Sequence, residues 1–225
     1  MASQLVLADG QSLGDLHTYL KRAQRLEDGS ARLIGDHGVL AAYTPVLYPR
    51  GLSDDLPTVL GLRTFAVVGQ DSLDVVVPIR SLIDRVEYLV DVLERNAEAP
   101  GLLELPHEVA SITWAGISPP RGGWRAVGTV DPAELTSVAK AGIDEVAAAL
   151  PSGTGEQLVH RVRSEVWGAP MAKHEFLPAG AAFAAFSLGF LGDDEIAVYE
   201  TGPWMRLSTR RGHVLVRQRS WSLRG

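Results

Sequence analysis

Seventeen consecutive residues, Phe176 to Gly192 (FLPAGAAFAAFSLGFLG), pass without a charge. Such a run has to leave water. Its length is the short limit for crossing a bilayer, but it contains a proline, three glycines and a serine, and no cluster of cations flanks it. The reading that follows is a core helix over 178–191, ended by Gly192 and apolar on every side. A helix of that kind must be wrapped by other elements. At 225 residues the chain is long enough to do so, as one large domain or two small ones.

Charge is distributed unevenly. Residues 1–100 hold nine cations and fourteen anions, residues 101–200 six and thirteen, and the last 25 residues six arginines and no acid. An acidic body with a basic tail is a reason to look for an acidic partner. Cysteine is absent, which removes disulfides, thiolate metal sites and thiol nucleophiles and fits a reducing cytoplasm. The opening MASQLVLADGQS has neither a basic n-region nor a long apolar run, so no signal peptide is expected.

Periodicity predicts an α+β fold, with antiparallel sheet and packed helices closing on a C-terminal β-hairpin. In the first half, Leu13, Leu16, Tyr19, Leu20 and Ala23 share one helix face. Asp36-His37-Gly38 then reads as a hairpin turn. A second helix carries Leu82, Val86, Leu89 and Leu93. These give a helix, a meander and a covering helix over 1–97, then a connecting loop over 98–108. In 109–225, VASITWAG reads as a strand, three helices follow, and EIAVYE, WMRLST and HVLVRQ form a three-stranded meander. The best local signal is Asp131-Pro132-Ala133-Glu134, an N-cap with proline at the first helical position and an acid at the third. The sequence leaves the halves as one domain or two.

Reactive constellations fail on geometry. Ala185-Phe186-Ser187-Leu188-Gly189 is one residue from a nucleophile elbow, but the elbow needs a strand before its serine and a helix after it. The six histidines are scattered, and neither His160/Glu165 nor His174-Glu175 has metal-ligand spacing. Gly153-Thr154-Gly155 lacks the strand, third glycine and lysine of a phosphate loop. No catalytic set, no metal site and no cofactor is expected.

Two features remain. The first is the Trp114–Trp124 loop, WAGISPPRGGW, stiffened by Pro119-Pro120 and freed by Gly122-Gly123. It reads either as a corner clamped by two tryptophans or as a recognition loop with Arg121 at its tip. The second is the terminal hairpin. Strand alternation puts Met205, Leu207, Val214 and Val216 on one face, and Trp204, Arg206, Ser208, Leu215, Arg217 and Arg219 on the other. Arg210 and Arg211 occupy the turn. Arginine with tryptophan suits a phosphate, a nucleobase or an acidic protein surface. The alternative is a solvated face neutralised by Asp193, Asp194 and Glu195. As a DNA-binding winged helix the chain would present a third helix without any charged residue, so only the wing could touch DNA.

The stretches WAGISPPRGGW, AGIDEVAAALP, LPAGAAFAAFSLGFLG and LSTRRGHVLVR resemble an uncharacterised family of actinobacterial proteins. Eighteen arginines against three lysines agree with such a source. The resemblance implies a cytoplasmic bacterial protein and supplies no activity. The residues themselves favour a non-enzymatic binding or assembly protein that sets its cationic hairpin against an acidic surface, its own included. The alternatives are nucleic-acid binding through the same hairpin, which a pI near 5.5 opposes, and a small-molecule pocket near the Trp114–Trp124 loop with Arg121 as anion ligand. No membrane contact is expected.

Overall fold

In the computed structural model, which describes residues 4–51, 54–69, 72–110, 112–150 and 155–218, the chain divides into two compact units. One draws on Met1–Pro45 and Leu62–Gly116, the other on Val46–Gly61 and Ile117–Gly225. Elements of the first half are β1 (Gln4–Leu7), α1 (Gly10–Leu26), β2 (Ser30–Asp36), β3 (Val39–Leu47), β4 (Thr58–Val68), β5 (Leu73–Pro78), α2 (Ile79–Arg95), β6 (Leu102–Glu104) and a 3-10 turn at Thr113–Gly116. The second half has β7 (Arg125–Val130), α3 (Pro132–Ala149), α4 (Glu156–Gly168), β8 (Pro170–Met171), β9 (His174–Pro178), α5 (Ala179–Ser187), β10 (Ile196–Thr201), β11 (Trp204–Thr209) and β12 (Gly212–Arg217). The class is α+β with mostly antiparallel pairing.

In the first unit β2 pairs antiparallel with both β3 and β5, and β1 with β4 and β6. Asp9 caps α1, its Oδ1 accepting from the Ser12 N–H at 2.6 Å. The helix buries Leu13, Leu16, Tyr19, Leu20 and Ala23, the stripe its spacing predicts. It packs beside α2, which buries Leu82, Ile83, Val86 and Leu89. Leu93, expected on that stripe, is only partly covered at the helix end. The β2–β3 turn uses positive φ at His37 (48°) and Gly38 (79°), as a two-residue hairpin turn requires. One polar pair lies inside the core. Tyr19, fully buried, places its hydroxyl 2.8 Å from Thr44 Oγ1 and donates to the Ala42 carbonyl at 3.3 Å. Burial pushes the pKa of that phenol well above its ordinary value.

In the second unit the strand order is β4–β12–β11–β10–β7. Asp131 caps α3 by accepting from the Ala133 N–H at 2.7 Å, with Pro132 opening the helix as its sequence predicts. Helix α5 is the buried one: Ala181, Ala182, Ala184 and Ala185 are at most 1% exposed. It packs against α3, α4, β9 and β12. Its small side chains let Trp167 of α4 enter a slot. There the indole stacks on Phe183 with centroids 4.1 Å apart and planes at 15°. A Cβ on Gly142 would lie 2.3 Å from the ring, and one on Gly180 would lie 2.9 Å from the Trp167 carbonyl oxygen. No helix among the described residues is long and apolar enough to cross a membrane.

Three local expectations change. Helix α5 ends at Ser187, short of Gly192, because Gly189 takes a left-handed φ of 73° and the Phe190 N–H turns back to the Ala185 carbonyl at 2.9 Å. VASITWAG is no strand. Its last four residues form the 3-10 turn, and Arg32 Nη1 holds the Ala115 carbonyl at 2.6 Å, so a distant side chain overrides β propensity. The strand of this region is β7, after the loop. Between α4 and α5 the pair β8–β9 forms a small antiparallel hairpin that the sequence reading leaves out. Its strands are too short and proline-bounded to show alternation.

Two stability tests follow from these contacts. Gly142→Ala should lower the urea midpoint by the equivalent of about 1–3 kcal/mol through overpacking against Trp167, despite alanine's helix preference of about 1 kcal/mol. Gly14→Ala on α1, where a Cβ meets nothing within 4 Å, should raise stability by about 0.5–1 kcal/mol; equal effects at both sites would refute the slot. Tyr19→Phe should cost about 1–2 kcal/mol by stranding the Thr44 hydroxyl. Adding Thr44→Val should then cost less than the two single changes together.

Candidate binding face on the C-terminal hairpin

Register sets the site. Gly202-Pro203 turns β10 into β11 so that Tyr199 stands opposite Arg206, and Arg210-Arg211 turns β11 into β12 so that Arg206 stands opposite Leu215 and Trp204 opposite Arg217. Residues facing one another across antiparallel strands share a face. Ile196, Val198, Leu207, Val214 and Val216 are buried on one face. The opposite face carries Tyr199, Ser208, Arg206, His213, Leu215 and Arg217, as alternation predicts for the hairpin.

Arg206 is the centre of this face. Its guanidinium carbon lies 4.6 Å from the Trp124 ring centroid and 4.8 Å from that of Tyr199, a cation held between two aromatic rings. Trp124 comes from the Trp114–Trp124 loop. Its indole N–H donates to the Pro120 carbonyl at 3.1 Å, closing the loop on itself, and Gly123 adopts a φ of 76°. Trp114 is 5% exposed, in the 3-10 turn of the first unit. Arg121 is exposed at the outside of it.

Both cations of the turn are engaged within the chain. Arg210 Nε pairs with Asp194 Oδ2 at 3.2 Å, and Arg211 Nη1 donates to the Leu191 carbonyl at 2.8 Å. Gly212 fits there because a Cβ would come within 2.5 Å of the buried Phe190 ring. Both arginines line a cleft of about 690 Å³ together with Phe190, Asp194, Tyr199 and Ser208. Trp204 lies on the Arg206 face yet is only 3% exposed, and Leu215 only 1%. Arg217 is half-buried on the same face. Arg219 falls outside the described residues.

Tyr199 and Trp124 are the contacts that the sequence reading does not attach to Arg206. The Tyr199 pairing is implicit in the tight turn at Gly202-Pro203. The Trp124 contact depends on β7 pairing with β10 across some seventy residues, with a bulge between Val198 and Tyr199, and has no local signal. His213 completes the face, its Nδ1 lying 3.1 Å from Ser208 Oγ. Ser187 ends a helix reached from β9, without the strand–serine–helix order of an elbow. No group of three or more His, Asp or Glu able to hold a metal occurs among the described residues.

Residues 1–102 match the family model Domain of unknown function (DUF8010), and residues 119–221 match Domain of unknown function (DUF8185). Neither carries an assigned activity. No curated protein matches the chain. Among solved structures the fold resembles the DNA polymerase III subunit beta of Borrelia burgdorferi in complex with a natural product, with a TM-score of 0.54 at 7% identity over 97% of this chain and 65% of that one. The same subunit from Pseudomonas aeruginosa gives a TM-score of 0.50 at 10% identity over 99% and 66%. A sliding clamp from Caulobacter crescentus gives 0.49 at 10% over 99% and 67%. The chain thus spans about two thirds of the length of these clamp chains. At such identities the likeness is one of fold.

Burial, reinforced by the positive charge of Arg206, holds the His213 pKa below its ordinary 6.5. The unfolded chain therefore takes up the proton first, so His213 should erode stability as pH falls below about 6.5. The loss stops growing once pH is below the folded-state pKa. Urea midpoints at pH 7.5 and 5.5 should show a smaller decline for His213→Gln than for wild type. Parallel declines would remove His213 from the account.

Proposed function

We propose that the chain is a non-enzymatic binding and assembly protein of the cytoplasm, one that sets the cationic face of its C-terminal hairpin against an acidic protein surface, including that of a second copy. The observation that carries this reading is that Arg206 and Arg217 stand on one sheet face and neither has a carboxylate partner among the described residues. The hairpin's other cations, Arg210 and Arg211, are engaged within the chain and would add to the field of the face more than to direct contact. Trp204 lies beneath the face as support, and Arg121 stands beside it on the Trp124 loop.

Charge segregation supports the same reading: residues 1–200 carry fifteen cations against 27 anions, and the remainder carries only arginine among charged residues. Opposed patches on one chain favour association that weakens with salt. The clamp-like fold adds support at the level of architecture, since its neighbours are named as subunits of a polymerase assembly. Absence of cysteine supports a reducing compartment. The preference for arginine over lysine supports an actinobacterial source.

Sedimentation velocity at low and high salt tests the proposal. Wild type should self-associate at low salt and tens of micromolar protein, and Arg206→Glu/Arg217→Glu should disperse it. Arg210→Glu/Arg211→Glu, whose native side chains are held internally, should act more weakly. A strict monomer at low salt would overturn self-assembly. Salt-sensitive co-sedimentation with a DNA duplex would transfer the face to nucleic-acid binding.

A further inference from the structure

Several arginines of this chain have carboxylate partners. Arg32 grips Asp74 through two hydrogen bonds of 2.8 and 2.7 Å, and Arg63 pairs with Asp15. Arg206 and Arg217 differ. The Nε of each is buried and meets no acceptor, and no ion pair involves either residue among the described ones. Their positions opposite Leu215 and Trp204 make them diagonal neighbours across β11 and β12, with Cβ atoms roughly 7 Å apart. Two cations at neighbouring positions of one face disfavour one another, and an anion held between them would reverse the sign of that interaction.

The chemistry of the anion can be narrowed. A guanidinium closed between the Trp124 and Tyr199 rings offers a ligand only its edge, where the Nη hydrogens lie in one plane and match two oxygens of an oxyanion. Two guanidinium groups bring two positive charges. A carboxylate or a phosphodiester, each with a single charge, would leave one of them uncompensated, whereas a phosphate monoester near neutral pH brings about two negative charges and three acceptor oxygens. The rings beside the site offer apolar edges to whatever the phosphate is attached to. We propose that this face binds the phosphate dianion of a small phosphorylated molecule between Arg206 and Arg217. The inference goes beyond the assembly reading and stands without it.

Inorganic phosphate is the probe, titrated at pH 7.5 with ionic strength held constant by chloride. Binding is read by phosphorus-31 line broadening and by thermal unfolding. Wild type should saturate, with Tm rising by about 3–6 °C when phosphate exceeds its Kd tenfold. Arg206→Gln and Arg217→Gln should each weaken binding about tenfold or more. Arg206→Lys keeps the charge and loses the planar fork; it should also bind weakly while retaining the ligand-free Tm. Arg161→Gln on the exposed side of α4 should bind as wild type does. Saturation of a chain that stays monomeric would support this inference while removing the assembly reading. A non-saturating Tm rise shared by wild type and the Gln variants would be general salt exclusion and would overturn it. Acetate binding as tightly as phosphate would overturn the dianion assignment, and so would duplex binding that saturating phosphate fails to displace.

Discussion

The Trp167 indole lies flat between Phe183 and Gly142, with Gly180 pressed against the Trp167 backbone carbonyl, and the second unit is organised around it. Three helices meet there because two of them give up a side chain at the point of contact. A helix as short and uniformly apolar as α5 has no amphipathic face to orient it, so its place is set by the shape of what surrounds it. Removing a fixed ring or adding a methyl to the walls disturbs a region packed as densely as an organic crystal. From α5 the constraint passes to the sheet: β12 lies against the helix, and Phe190, just past its end, accepts Gly212 at closest approach. The Arg210-Arg211 turn thereby rests on the core.

The first unit answers a different problem, that of a polar group inside an apolar core. Tyr19 and Thr44 satisfy one another with no water needed, and the same pair ties the middle of α1 to β3. Buried hydroxyls without partners would be costly, so the pair specifies the register of helix on sheet more sharply than leucines alone could.

Much of this architecture is legible in the sequence, for identifiable reasons. The α1 stripe, the Asp131-Pro132 start of α3 and the His37-Gly38 turn depend on residues within a few positions of one another, and local rules describe them well. The end of α5 is not legible in the sequence, because apolar residues continue past Gly189 and apolar content says nothing about the backbone angle that closes the helix. The 3-10 turn at Trp114 has no local signal, and its Ala115 carbonyl is held by Arg32, some eighty positions away. The candidate face divides in the same way. Strand alternation places Arg206 and Arg217 together on one face. It cannot show that Trp204 is covered, nor that a tryptophan from a distant loop comes to lie on Arg206.

An arginine side chain carries about 2 kcal/mol of rotamer entropy in solution. Arg206 surrenders most of that freedom as the chain folds, when Trp124 and Tyr199 close on it, and a partner arriving later finds the group already immobile. If the face binds as proposed, affinity at this position is coupled to how firmly the Pro120–Trp124 turn stays shut. Sequence changes in that turn, far from any ligand atom, would tune binding through the disorder they return to a single guanidinium.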